Sequence, residues 1–124
     1  MSATSKIKVL LVEDEPIVRL DLASYLDQAG YNVFEASSAA EAIEILERDG
    51  DIRVVFTDIR MPGSMDGVAL ARCIRERWPP TVIVICSGNS EDAADLADIH
   101  IINKPYLPDD ITLVLEAVSA QLSS

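Results

Sequence analysis

The chain has 124 residues, ten Lys plus Arg against 21 Asp plus Glu, a net charge of −11 at pH 7, and 49% hydrophobic content. That is the length of one domain, with enough apolar side chains to bury a core without disulfide or metal staples. So acidic a chain repels both nucleic-acid phosphates and an anionic membrane surface, and its apolar runs are too short to span a bilayer.

Two cysteines, Cys73 and Cys86, make no disulfide framework, and no Cys/His spacing suits zinc. Residues 1–6 lack the apolar centre of a secretory signal. The expectation is a reduced, cytoplasmic, globular domain with no nucleic-acid or membrane partner.

In chain order, the first strand is expected over Lys6–Val12. A helix over 16–29 follows, opened by Pro16, stopped by Gly30 and striped with Val18, Leu22, Tyr25, Leu26 and Ala29. Asn32–Ala36 is the second strand, and Ser38 to Glu41 reads as a capping box opening a helix that runs to about Arg48. Ile52–Thr57 is the third strand, a nearly continuous apolar run. A helix over 67–77 stops before Trp78-Pro79-Pro80, and Thr81–Cys86 is a second apolar run. The stretch 88–98 is poor in apolar residues and predicts one or two turns capped by Ser90. Ile99–Asn103 is the fifth strand, and the last helix spans 108–122 with Ile111, Leu115, Val118 and Leu122 on one face.

This alternation predicts an α/β fold: a doubly wound, five-stranded parallel sheet with helices on both faces. Ligands of such sheets sit beyond the carboxyl ends of the strands, where the strand order reverses. Glu13 and Asp14 follow the first strand, Asp58 the third, Ser87 the fourth, and Lys104 with Pro105 the fifth. With strand order 2-1-3-4-5, Asp14 and Asp58 flank the switch point. Clustered carboxylates raise one another's proton affinity, and a hard divalent cation relieves them. An all-oxygen donor set with room for water favours Mg²⁺ over zinc. Lys104 and the Ser87 hydroxyl can meet phosphoryl oxygens. A cation, a lysine and a hydroxyl aimed at one carboxylate suit phosphoryl transfer with Asp58 as nucleophile. Taken singly, Asp14 reads equally well as a helix cap, Ser87 reads better as a turn residue than as a ligand, and Asp66-Gly67 is only a turn signal. Their coincidence at one end of four strands favours the functional reading.

Val9-Leu10-Leu11-Val12-Glu13-Asp14-Glu15, Thr57-Asp58-Ile59-Arg60-Met61-Pro62, Asp66-Gly67, Ser87-Gly88 and Lys104-Pro105 together resemble the receiver domain of two-component response regulators. The resemblance covers essentially residues 1–124, with a core over about 6–122. It implies the flavodoxin-like 2-1-3-4-5 sheet. Asp58 is the implied phosphoacceptor, fed by a phosphohistidine on a sensor histidine kinase and later self-dephosphorylated. Asp14 is an implied direct ligand of Mg²⁺ (or Mn²⁺), Glu13 a ligand through water, and the Arg60 backbone carbonyl a third protein donor. Ser87 and Lys104 would hold the phosphoryl oxygens, and Lys104-Pro105 is the candidate cis peptide.

Three features depart from the family pattern. The loop Met61-Pro62-Gly63-Ser64-Met65 is one residue longer than usual. Only seventeen positions separate Ser87 from Lys104, so the fourth helix, between strands four and five, is expected to be shortened or absent. Ile101 stands where the family's switch aromatic would be, so a rotating-ring coupling to Ser87 is expected to be missing. His100 is a substitute for it, but an ordinary solvated edge-strand histidine is the better expectation. Arg60, two residues after Asp58, is expected to tune the lifetime of the phosphoryl group. Cys86 reads as a small core hydrophobe rather than a redox centre, and Trp78 as a packed helix exit. Tyr106 and Leu107 read equally as partner contacts or as the hydrophobic start of the last helix.

The leading function is a phosphoacceptor that signals by contact with another protein or by relay to a histidine phosphotransfer protein. It has no turnover on external substrates. The alternatives are a phosphorylation-independent scaffold of receiver fold and a receiver piece of a hybrid kinase. A hydrolase using Asp58 as a covalent nucleophile would need a second acid where Arg60 stands.

Overall fold

A computed structural model describes residues 6–60, 65–88 and 99–123. In chain order they form β1 (Lys8–Val12), α1 (Pro16–Gln28), β2 (Asn32–Ala36), α2 (Ala39–Arg48), β3 (Val54–Asp58), α3 (Gly67–Arg77), β4 (Val82–Ser87), β5 (His100–Asn103) and α4 (Pro108–Ser123). The five strands make one parallel sheet of order β2-β1-β3-β4-β5. The expected turns over 89–98, the Ser90 cap and the question of a shortened fourth helix lie outside the described residues. So does the loop 61–64.

The continuous apolar strands work because both faces of the sheet are covered. Side chains alternate across the sheet with period two. Leu10, Val12, Val55, Ile83 and Ile85 point to one face, where Ala42 and Leu46 of α2 and Leu70 and Ile74 of α3 meet them. Val9, Leu11, Phe56, Val84 and Cys86 point to the other, against Leu22 and Leu26 of α1 and Ile111 and Val118 of α4. Cys86 is a buried member of that cluster and burial pushes its thiol up to about 12, so it serves as a core hydrophobe.

Local chemistry sets the helix ends. Pro16 opens α1, and Gly30 stops it at φ 98°, a left-handed backbone that suits glycine. Ala29 is solvent-exposed rather than part of the buried stripe, because the helix ends one residue earlier at Gln28. Ser38 caps α2 by accepting from the Glu41 N–H at 3.2 Å. The reciprocal half of the capping box goes one residue back, with Ser37 N–H donating to Glu41 Oε1 at 2.6 Å. Asp66 caps α3 through the Ala69 N–H at 2.9 Å. At the other end of α3, the Arg77 guanidinium lies 4.4 Å from the Trp78 ring centroid. Tyr106 packs into the α1–α4 side of the core, while Leu107 is 68% exposed.

The strands differ from expectation at their ends. β3 and β4 start later, at Val54 and Val82, and each runs one residue further. The ladder continues through the pairs Asp58–Cys86 and Ser87–Asn103, so Asp58 and Ser87 are the last residues of their strands rather than the first of the following loops. A side chain on a paired strand end is fixed more firmly than one on a loop. Among the described residues, no helix is long and apolar enough to cross a membrane.

Candidate functional site

The carboxyl ends of β1, β3, β4 and β5 converge on one cluster. Glu13 and Asp14 leave β1, Asp58 ends β3, Ser87 ends β4 and Lys104 follows β5. Carboxylate oxygens of Glu13, Asp14 and Asp58 all lie within 4.8 Å of one another. Lys104 Nζ reaches Asp58 Oδ2 at 2.6 Å. The Asp58 side chain is 12% exposed, so this pair is well shielded from solvent. The second carboxylate oxygen, Oδ1, accepts a longer bond of 3.4 Å from the Arg60 N–H.

The electrostatics follow from burial. Glu13 is only 3% exposed. Desolvation pushes its carboxyl up to about 7; the Glu15 N–H, donating at 3.1 Å, opposes this, and the neighbouring Asp58 charge adds to it. Burial disfavours the charged form of Lys104, but the hydrogen bond to Asp58 and the surrounding negative charge outweigh it, so its ammonium is held more firmly than usual. Lys104 pairs with Asp58, and the two further acids crowd the same site, so the cluster relieves its charge by holding a proton, as Glu13 does, or by taking up a cation. Its donors are all oxygens, two of the three acids are partly exposed, and only one lysine balances them. That donor set fits a hard divalent cation such as Mg²⁺.

Backbone contacts hold the cluster in place. Glu13 N–H donates to Ala36 O at 3.0 Å, tying the β1 exit to β2. Lys104 N–H donates to Ser87 O at 2.7 Å, tying the β5 exit to β4. The Lys104–Pro105 peptide is cis. The Ser87 side chain is buried at 2% exposure. Every residue singled out for chemistry at the strand ends therefore sits at one end of the sheet. His100 does not join them: it pairs with Val84, back along the strand, and its Nε2 lies 2.6 Å from Gln121 Oε1 on α4. Ile101 is half-buried against the α2–α3 side of the core.

Three residues matter more than the sequence suggested. Thr57 Oγ1 donates to Asp58 O at 2.9 Å. Gly67 packs directly beneath the Asp58 carbonyl, with no room there for a Cβ, and its N–H donates to Ile59 O at 2.7 Å. Asp66-Gly67 signals a turn in the sequence, but nothing local reveals this close approach. Arg19, a solitary basic residue in an amphipathic helix, reaches back to Glu13 O at 2.8 Å.

The comparisons with known proteins agree with this geometry. Residues 9–116 match the response regulator receiver domain family. The chain is 44% identical over 86 residues to the sensor kinase CckA of Brucella abortus, a stretch that covers 68% of this chain and 9% of the kinase. Across the curated relatives compared, the chain spans between 9% and 52% of their length. The crystal structure of a response regulator receiver protein from Sinorhizobium medicae superposes with a TM-score of 0.86 at 36% identity, covering 97% of each chain. The response regulator TrrA of Thermotoga maritima, solved in complex with Mg²⁺ and BeF, superposes with a TM-score of 0.81 at 26% identity, covering 90% of this chain and 98% of that one. The family match extends over most of the sequence, the sheet order is the one the motifs implied, and the acidic cluster lies at its switch point. The chain therefore belongs to the response regulator receiver domain family.

Proposed function

We propose that residues 1–124 act as one receiver domain in which Asp58 accepts a phosphoryl group from a phosphohistidine on a sensor histidine kinase. The observation that carries this reading is one carboxylate with two opposed neighbours. Asp58 lies 2.6 Å from a lysine ammonium and shares a 4.8 Å cluster with two further acids. An Asp–Lys ion pair alone would be structural; the extra negative charge beside it calls for a cation.

Asp14 would ligate Mg²⁺ (or Mn²⁺) directly, Glu13 through water, and Arg60 through its backbone carbonyl. When bound, the ion offsets the charge of the acids and of the incoming phosphoryl group. An Asp58 carboxylate oxygen attacks phosphorus while the phosphorus–nitrogen bond of the phosphohistidine breaks. The electron pair goes to the leaving imidazole, which takes up a proton. Lys104 then transfers its attention from the carboxylate to a phosphoryl oxygen, and Ser87 donates its hydroxyl to another. In hydrolysis, water attacks phosphorus while the bond from phosphorus to the Asp58 oxygen breaks; the Asp58 carboxylate keeps the electron pair, and inorganic phosphate departs as a water proton is lost to solvent. Arg60 is exposed beside this path and sets how long the phosphoryl group survives. No external substrate turns over. Output is contact with a protein target or relay to a histidine phosphotransfer protein, and a cytoplasmic location goes with this reading. The match to a stretch of a sensor kinase fits a role in two-component signalling.

The test is intact mass after incubation with a small-molecule phosphodonor and Mg²⁺. One added phosphoryl group is expected, lost in Asp58→Ala and on chelation of the metal. Absence of the adduct, together with failure to bind beryllofluoride and Mg²⁺, would overturn the proposal.

A further inference from the structure

Arg19 of α1 contributes a cation next to the acidic cluster without belonging to it. Its side chain is 22% exposed. Nη1–H donates to the Glu13 carbonyl oxygen at 2.8 Å, and Nε–H donates to Glu35 Oε1, from β2, at 3.2 Å. Glu13 is thus held on both sides of its backbone: its N–H by Ala36 of β2, its carbonyl by Arg19 of α1. That carbonyl lies in the rigid peptide plane joining Glu13 to Asp14. Fixing the plane fixes the Asp14 N–Cα bond, so that rotation about this one bond is the backbone freedom left to aim the Asp14 side chain.

We propose that Arg19 is a positioning residue for the divalent-cation site: its two-pronged grip on Glu13 O and Glu35 locks the Glu13–Asp14 peptide so that both carboxylates converge on Asp58. This rests on reading the cluster as a cation site. Arginine suits the task because its planar fork makes two bonds in fixed directions, which a lysine point charge does not. Glu35 offsets the guanidinium charge, so the clamp can sit beside a site meant for a cation.

Charge and geometry here predict opposite signs. Were Arg19 merely a nearby positive charge, its removal would tighten Mg²⁺ binding. As a clamp, its removal loosens Asp14 and weakens binding. Calorimetric titration of Mg²⁺ into the folded protein reads the sign. Arg19→Gln is expected to lose about tenfold in affinity, the lower end of what loss of an orienting contact behind a metal ligand costs. Arg19→Lys keeps the charge and one donor and falls between. Glu35→Gln shows a smaller loss. Lys8→Ala, which breaks the 2.8 Å Lys8–Asp49 pair at the other end of β1, lowers stability but leaves Mg²⁺ affinity unchanged. Equal or tighter binding by Arg19→Gln, with the unsubstituted protein binding normally, overturns the clamp and spares the cation site. No Mg²⁺ binding by the unsubstituted protein overturns both. If Arg19→Gln does not fold, Arg19→Lys decides: with the positive charge kept and the fork lost, weaker binding upholds the clamp and unchanged binding overturns it.

Discussion

Replacing Gly67 with alanine tests whether the start of α3 is held against the end of β3 by close approach of two backbones. A Cβ at this position would lie 2.8 Å from Ile59 Cα and 2.9 Å from the Asp58 carbonyl carbon, and nearer still to the Asp58 carbonyl oxygen. Ordinary carbon–carbon contacts begin near about 3.5 Å, so each pair overlaps by roughly 0.6 Å. The neighbours are backbone atoms, so no rotamer change relieves the clash. The first turn of α3 must instead move away from β3, stretching the 2.7 Å bond from Gly67 N–H to Ile59 O. Overpacking of this kind costs about 1–3 kcal/mol, and a weakened hydrogen bond about 1 kcal/mol more. The better helix propensity of alanine returns up to about 1 kcal/mol. The net loss is about 1–4 kcal/mol. With a urea slope of about 2 kcal/mol/M for a domain of this size, the unfolding midpoint falls by roughly 0.5–2 M. If Asp58 is the phosphoacceptor as proposed, its labelling should slow as well, because Gly67 packs against the carbonyl of that same residue. An unchanged or raised midpoint would refute the reasoning, since it would mean α3 can stand off from β3 freely.

Further outcomes follow from the same structure. Phe56→Ala empties the largest fully buried side chain of the sheet and should cost about 3–5 kcal/mol, read by denaturant unfolding; a loss under about 1 kcal/mol would mean the cavity collapses. Glu47→Gln removes one charge of a 2.7 Å pair with Arg77 in which both side chains are nearly half exposed and leaves Arg77 against Trp78, so the unfolding midpoint should barely move in the same assay; a large fall would contradict this. The Cys86 thiol and Tyr106 phenol are both raised to about 12 from ordinary values of 9.0 and 10.0, chiefly by burial. The native state then holds protons that the unfolded chain releases, so stability falls as pH climbs from about 9 towards 12. Denaturation midpoints at about pH 8 and about pH 11 check this, and equal midpoints would contradict it.

Much of the candidate site was legible because each candidate residue interrupts or follows an apolar strand at its carboxyl end. Glu13, Asp14, Asp58, Ser87 and Lys104 could be picked out by position and then by family motif. The helices were legible for similar reasons: Pro16, Gly30, Ser38 and Asp66 act on the backbone within a few residues of themselves. Among the described residues, misplacements were confined to element ends. Ladder pairing, a contact with another strand, carried β3 through Asp58 and β4 through Ser87. Glu41 bonded Ser37 rather than Ser38 because its side chain could reach the earlier N–H.

The sequence by itself determined the fold class, the two-sided sheet and the set of acids, because hydrophobic period and turn chemistry are local properties of a chain. Tertiary structure alone decided how those acids are held and charged. The burial that raises Glu13, the Arg19 fork joining the β1 exit to β2, and the missing Cβ of Gly67 under Asp58 all depend on distances between segments far apart in sequence. So does the turning of His100 to Gln121 instead of towards Ser87. Desolvation and steric clearance are set by packing across the whole core, and no local pattern of residues encodes them.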